Sequence, residues 1–380
     1  DNDDSAGAQS VDMDCDGVLT ADDCDDLDPN STIVIQDIDC DGVLTADDCD
    51  DTDSSSTARS EDMDCDGVLT INDCDDADYA EQNICFHLSL GGGQTIDLSM
   101  VAAGTFLMGS PDLEVGRGTN FAETQHQVTL TNDYFVMTTE VTQGMFAQVM
   151  GYDSYQGEST TGDGGSYGVG TDYPAYYVDW NMAADFSNAI TSIHNSVMGT
   201  ALQDCYTCSG SGITVSCTLA MNPYMCNGYR LPTEAEREYA ARSGTTAAYW
   251  TPNGGGDIPS GFTVGCSGNW TLSDGTSLGD LGWYCGNEYT YGSKSVGQLQ
   301  ANDFGLYDMA GNVWEWVEDG IGAYSSNSMT DPYANHSVGR RMIRGGSWGS
   351  YSKYTRSAAR DWNFFDGRYT YVGFRLVRKD

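Results

Sequence analysis

Residues 127–130 and 134–137 alternate between apolar and polar side chains, and a period of two predicts short strands there. Along 181–198 the side chains of Met182, Phe186, Ile190 and Ile193 recur at the spacing of one helical face, which predicts a helix. A second helix is expected over 232–242, with Pro232 in its first turn, Thr233 nearby and Gly244 just past its end. Elsewhere regular periodicity is scarce. Residues 152–172 and 251–282 are runs of Gly, Ser, Thr and Asp, and loops that long in a compact domain are functional or pinned.

One short stretch, GLYDMAGNVWEW over 305–316, combines two acids (Asp308, Glu315), a turn glycine (Gly311) and two tryptophans (Trp314, Trp316). Apolar anchors and hard oxygen ligands in one loop suit a buried turn pinned by Ca²⁺, which collects carboxylates and carbonyls from irregular backbone. A turn with two core tryptophans and solvated acids is the plainer alternative.

The first eighty residues follow a different pattern. DMDCDGVLTADDCDD begins at Asp12, DIDCDGVLTADDCDD at Asp37 and DMDCDGVLTINDCDD at Asp62, an internal repeat with a period of 25 residues. Each copy places acids at positions 1, 3, 5 and 12 of a loop and glycine at position 6, the ligand spacing of an EF-hand calcium loop. The expected ligands are Asp12, Asp14, Asp16, Asp23 and the Val18 carbonyl in copy one. Copy two offers Asp37, Asp39, Asp41, Asp48 and Val43; copy three offers Asp62, Asp64, Asp66, Asp73 and Val68. Aspartate at position 12 resembles the dockerin and thrombospondin type 3 classes of extracellular calcium repeat. Asp1 and Asp3 fall in register with Asp26 and Asp28, so the chain is expected to open in the tail of a fourth copy.

Charge sharpens this picture. The chain of 380 residues carries 16 Lys and Arg against 57 Asp and Glu, a net charge of -41, which repels nucleic acid and anionic lipid and leaves divalent cations as the natural partners. Residues 1–78 hold 27 of those acids and one arginine, so without cations this arm should expand, and with them stiffen into a spacer. A disordered acidic tail would not need the same ligand spacing and the same Gly17, Gly42 and Gly67 three times.

Thirteen cysteines and scarce lysine describe an exported protein whose thiols are mostly paired, with at least one left over because the number is odd, and no apolar run approaches the ~18 residues of a membrane span. In the arm, pairing within a copy (Cys15 with Cys24, Cys40 with Cys49) competes with pairing between copies (Cys24 with Cys40, Cys49 with Cys65). The second is preferred because it leaves over Cys15, whose partner would lie one residue before Asp1. Connectivity stays open on sequence alone. Cys205, Cys208, Cys217 and Cys226 begin like a zinc site, but two disulfides fit an oxidising setting better, with Cys266 and Cys285 as a third. Asn30, Asn269 and Asn335 open glycosylation sequons.

The motifs MVAAGTFLMGS (100–110), VTLTNDYFVMTTEVTQGMF (128–146), YRLPTEAEREYAARSG (229–244), NDFGLYDMAGNVWEW (302–316), RGGSW (344–348) and GFRLVR (373–378) occur in an order that resembles the formylglycine-generating enzyme, or sulfatase-modifying factor, family. The resemblance spans about 95–380. It implies a three-part chain, with repeats over 1–80, a linker over 81–94 and the family domain after it. The implied fold is α+β and C-type-lectin-like, low in regular structure. It also implies a calcium held by Asp308, Glu315 and the carbonyls of Gly311 and Val313. Arg237 stands where the family usually has tryptophan, so packing there is expected to differ.

The same resemblance raises an oxidase. The family's enzymes oxidise a substrate cysteine with copper held by two cysteines between RGGS and GFR, and Cu(I) needs thiolates. Here that interval has no cysteine, the last is Cys285, and Ser350 stands about where the first thiol belongs. The iron-dependent branch needs histidines from an added helical domain, whereas His87, His126, His194 and His336 are scattered. Gly345, Ser347 and Gly349 satisfy GxSxG without a strand-to-helix elbow or ordered partners. The expectation is a secreted, calcium-stabilised, non-enzymatic protein of a bacterial surface or matrix, able to self-associate into a fibre. The alternatives are a copper oxidase and a glycan-binding module using Trp250, Trp270 and Trp283.

Overall fold

The computed structural model describes residues 18–19, 21–25, 27–28, 30–50, 52, 56, 58–60, 86–118, 123–162, 165–260, 265–266, 268–287, 291–335 and 339–380. The chain divides into two compact units, Asp1–Asn83 and Ile84–Asp380.

In the larger unit five strands form an antiparallel sheet in the order Phe86–Gly91, Gln94–Val101, Tyr134–Met137, Val377–Lys379, Tyr229–Arg230. The expected linker over 81–94 is thus, from Phe86 onward, an edge strand. Leu88 and Leu90 alternate inward and are buried, which is the half-buried pattern that makes a strand. The strand expected over 134–137 is present, and the one expected over 127–130 is present as His126–Leu130, paired with Gly104–Met108. A four-stranded sheet runs Arg360–Phe364, Arg340–Arg344, Trp314–Gly320, Val372–Gly373, with the last pair parallel.

Among the described residues, three helices of two turns or more pack on these sheets. Helix α1 (Gln143–Met150) has no counterpart among the expected elements, because eight residues give barely two turns of periodicity; its signals were the Thr142 cap and left-handed Gly151. Helix α2 (Trp180–Met198) begins where the Asp179 carboxylate accepts the Met182 N–H at 2.8 Å and ends at Gly199, whose φ of 68° needs no Cβ. Met182, Phe186 and Ile190 are fully buried on the expected face, and Ile193 packs at its margin. Trp180 and Trp316 lock the helix to strand Trp314–Gly320 reciprocally: Trp180 Nε1 donates to the Val317 carbonyl at 3.2 Å and Trp316 Nε1 to the Val178 carbonyl at 2.9 Å. Burying two indoles with both N–H groups bonded secures large apolar area at no polar cost.

Helix α3 (Glu234–Arg242) begins two residues later than expected: Thr233 caps it, in a reciprocal box with Glu236, so Pro232 precedes the cap rather than lying in the first turn. Its sequence EAEREYAAR is polar, yet Glu234, Glu236, Arg237, Glu238 and Arg242 are all buried. Burial of so many charges requires partners. Arg360 holds Glu234, Arg230 grips Glu236 in a fork at 2.7 Å on both arms, and Arg242 and Arg344 share Glu238. Among the described residues the expected long loops carry a hairpin of two-residue strands, Thr161–Gly162 with Gly165–Ser166, the one-turn helix Leu278–Leu281 and the isolated bridges Tyr249–Gly256 and Thr271–Ser277. The content is mixed, with few helices and short curled sheets, consistent with a C-type-lectin-like fold.

Candidate functional site

In the arm, the twelve-residue loop of copy two, residues 37–48, lies within the described residues. Oxygens of Asp37, Asp39 and Asp41 lie within 4.8 Å of one another. Gly42 turns with a φ of 98°, as a position-6 glycine must, and its N–H donates to Asp37 Oδ2 at 3.0 Å. Thr32 Oγ1 donates to the same oxygen at 2.5 Å, and the Val43 N–H to Asp41 Oδ1 at 2.7 Å. Asp37 is fully buried, yet its Oδ1 has no hydrogen-bond partner, nor has either oxygen of Asp39 or Oδ2 of Asp48. The other Asp48 oxygen accepts the Asp50 N–H at 3.0 Å and the Ser56 hydroxyl at 2.5 Å. One oxygen of each buried acid thus fixes the loop while the other is uncommitted.

Electrostatics follow the geometry. Burial, then the charges of Asp41, Asp48 and Asp37, push the Asp39 carboxyl up. Burial acts the same way on Asp37, but bonds from Thr32 and from the Gly42, Cys40 and Asp41 backbone outweigh it and hold that carboxyl low. Ionised carboxylates crowded together with lone pairs unspent are the donor set of a hard cation, and six to eight oxygens suit Ca²⁺.

Copy one shows Val18 and Asp23; there Asp23 repeats the Asp48 arrangement, taking the Asp25 N–H and Ser31 hydroxyl on Oδ1 and leaving Oδ2 without a partner. Asp12, Asp14 and Asp16, and in copy three Asp62, Asp64, Asp66, Val68 and Asp73, lie outside the described residues. Cys24 is bridged to Cys40, the pairing between copies, and Cys49 is also disulfide-bonded.

The GLYDMAGNVWEW loop is buried throughout its second half. Gly311 has no alternative, since a Cβ there would meet the Trp283 carbonyl at 2.0 Å. Glu315 is fully buried, and its oxygens accept Arg237 Nε at 2.7 Å, Arg237 Nη2 at 3.0 Å and Arg375 Nε at 3.0 Å. Burial alone would raise this carboxyl, but the two guanidiniums hold it below its ordinary value. Asp308 lies close by: its Oδ2 takes the Gly297 N–H at 2.7 Å, and its carboxyl is hydrogen-bonded to that of Glu140 and feels the Glu315 charge. Burial pushes Asp308 up to about 6, and burial and the Asp308 charge push Glu140 well above the carboxylate range.

Glu315 is thus neutralised by two guanidiniums, one of them from the position where the resemblance places tryptophan, while Asp308 pairs with Glu140. Gly311 and Val313 are buried beside them, and the Gly311 N–H donates to the Gly345 carbonyl at 2.7 Å. Sequence reading missed Glu140 and Arg375. Arg375 could have been found as a lone cation inside the apolar run GFRLV.

Around RGGSW, Ser350 Oγ accepts the Ser347 N–H at 3.0 Å and lies 3.0 Å from Ser347 Oγ, so the GxSxG serine is partnered by another serine. His87, His126 and His194 are bonded through one ring nitrogen each, Nδ1, to Asp97, the Thr124 carbonyl and the Tyr229 hydroxyl; His336 is outside the described residues. Cysteines 205–226, 208–217 and 266–285 form three disulfides, which rules out the zinc alternative. Of the three tryptophans expected at a glycan face, Trp250 is buried, Trp270 donates to the Gly265 carbonyl at 3.2 Å and Trp283 lies half-buried under Lys294.

With the geometry established, comparison with known proteins agrees on the domain. Residues 92–380 match the sulfatase-modifying factor enzyme 1-like domain. The formylglycine-generating enzyme of Mycobacterium tuberculosis is 36% identical over 170 residues, 40% of this chain and 51% of that protein. The chain thus spans about half the length of the curated enzyme it matches. A chaperone protein LppX of Paenibacillus barcinonensis is 30% identical over 240 residues, 60% of this chain and 74% of that one. Among solved structures, Treponema denticola variable protein 1 superposes with a TM-score of 0.56 at 25% identity, covering 78% of this chain and 99% of the other. PvdO from Pseudomonas aeruginosa gives 0.55 at 23%, over 78% and 99%. On this match, which takes in three quarters of its length, the chain belongs to the sulfatase-modifying factor family.

Proposed function

We propose that the chain is an exported, disulfide-stapled member of the family that binds rather than oxidises, and that its acidic repeats hold Ca²⁺. The observation that carries the first half is the state of the thiols: the six cysteines between 205 and 285 are all bridged, and the interval 344–378 contains none. Cu(I) held by thiolates has no ligands there, and serine hydroxyls do not substitute for them. Disulfides of this density support an oxidising compartment, and a relative named as a chaperone supports a role without catalysis. The described histidines are bonded elsewhere through Nδ1 and do not replace the thiols.

The calcium half rests on the unspent, buried oxygens of Asp37, Asp39 and Asp48. With the ion bound the repeats act as a stiff spacer at a cell surface or in a matrix, and the family domain is the binding or assembly module. Two measurements test this. Competition with a chromophoric Cu(I) chelator should show no tight site, and a cysteine peptide incubated with copper and oxygen should remain unoxidised; turnover would sink the non-catalytic reading. Calorimetric titration with Ca²⁺ should show saturable binding to the arm, and a flat titration would sink the other half.

A further inference from the structure

We propose that a cleft beside α3 is a binding site for a phenolic ring. Met108, His126, Ala235, Tyr324, Met329 and Tyr333 are among the residues that enclose it, with a volume of about 200 Å³. A cavity of about 150 Å³ accepts benzene, so one six-membered ring with a substituent fits. The charged groups on the wall are already committed. Glu234 takes Arg360 at 2.8 and 2.6 Å, Arg360 stacks on the Tyr324 ring at 3.8 Å, and Asp319 accepts the backbone N–H groups of Glu234 and Ala334, both at 2.8 Å. An anion entering would meet two carboxylates and a cation would meet Arg360, so the ligand is neutral.

His126 supplies the direction. Its Nδ1 lies 2.9 Å from the Thr124 carbonyl, an acceptor, so that nitrogen carries the proton and Nε2 is left as an acceptor with no partner among the described residues. The ligand therefore brings one hydroxyl donor. Its body is an aromatic ring because two thioethers, Met108 and Met329, and the rings of Tyr324 and Tyr333 form much of the wall, and sulfur and ring edges favour an aromatic guest. The His126 and Tyr324 rings, 5.1 Å apart and tilted, already show that contact within the protein. A phenol, either free or as the side chain of a tyrosine in a peptide, meets all three requirements.

The test titrates p-cresol, toluene and N-acetyltyrosinamide into the full chain, followed by the ¹⁵N resonances of the His126 ring. p-Cresol should saturate and bind about tenfold tighter than toluene, the worth of one hydrogen bond. His126→Phe should remove that advantage while toluene still binds. Met329→Trp, at a side chain 39% exposed and so tolerant of change, should close the cleft to both. Binding of N-acetyltyrosinamide alongside p-cresol assigns the site to tyrosine peptides, and p-cresol alone assigns it to free phenols. Equal affinity for p-cresol and toluene, or unchanged binding in Met329→Trp, would overturn the proposal.

Discussion

Arg237 and Glu315, 78 residues apart in sequence, meet in a fork with Nε at 2.7 Å and Nη2 at 3.0 Å, both side chains almost wholly buried. The fork ties α3 to strand Trp314–Gly320 at the point where the resemblance implies tryptophan and a calcium ligand. Arg237 also donates to the Met309 carbonyl at 3.1 Å, so one guanidinium clamps the loop at both ends. Arg237→Met removes the guanidinium and leaves Glu315 with Arg375 alone. Breaking a buried pair from one side costs about 3–5 kcal/mol. The urea midpoint of the domain should fall accordingly, and Arg237→Lys, which keeps the charge but not the fork, should fall between the two. An unchanged midpoint in Arg237→Met would mean that the pair does not hold the fold.

The arm offers a cleaner separation. Asp39 has both oxygens without hydrogen-bond partners, so Asp39→Asn alters no bond within the protein and removes only charge and ligand strength. Calorimetry should find one fewer Ca²⁺ in this variant than in the parent chain. Asp37→Asn is predicted to cost more, because Asp37 Oδ2 also closes the loop onto the Gly42 N–H. Chelation should expand the arm, as seen by small-angle scattering. The thermal midpoint of the family domain should stay unchanged, because ion pairs and disulfides hold it. A domain midpoint that dropped with chelation would assign it an ion of its own, with Asp308 as a ligand.

How much of this was legible varies with the physics of each element. Helix α2 was read almost to the residue, since Met182, Phe186 and Ile190 lie on one apolar face and Gly199 punctuates its end. Helix α3 was placed by Thr233 and Gly244 but not understood: a sequence of alternating charge reads as a solvated surface, and only tertiary partners such as Arg230, Arg344 and Arg360 show why it is buried. The turn of the acidic loop at Gly42 was legible because it is set by local spacing. The Glu315 hub was not, because Arg237, Arg375 and Glu140 come from three distant segments and only the fold brings them together. Phe86–Gly91 was lost for a simpler reason, a six-residue alternation beside a glycine-rich turn.

Glu318 gives the domain a pH signature. It is fully buried, its Oε1 accepts the Tyr206 hydroxyl and its Oε2 has no partner. Burial pushes its carboxyl from 4.5 up to about 7. The folded state therefore binds a proton that the unfolded chain has lost over that interval. The stability it contributes is fully present below pH 4.5 and is lost as pH rises through about 7. Asp319, raised from 3.8 to about 7 by burial and then by the Glu234 charge, acts in the same direction. The unfolding free energy should thus decline from mildly acid to neutral pH, by up to about 1.4 kcal/mol per pH unit for each group. Glu318→Gln mimics the protonated form and keeps an acceptor for Tyr206, so it should flatten part of that slope and be the more stable protein at pH 8. A variant with the parent's slope would exclude Glu318 as a source.

The paired bridges at 205–226 and 208–217 are nested, the shorter loop lying inside the longer. A bridge stabilises chiefly by restricting the unfolded chain, and the restriction grows with the logarithm of the loop it closes. Opening the inner bridge leaves its segment confined by the outer one and by the hairpin that pairs Tyr206–Ser209 with Ser216–Leu219. Opening the outer bridge frees 21 residues of separation and exposes Cys205 and Cys226, both fully buried against the core that α2 packs on. The pair Cys205→Ser with Cys226→Ser should therefore lower stability by about 3 kcal/mol, and Cys208→Ser with Cys217→Ser by less. Because Cys217 is itself nearly buried, each pair is compared with an alanine version, which separates lost bridging from a buried hydroxyl. If the inner pair proved the costlier in both versions, local strand pairing rather than chain restriction would be what the bridges secure.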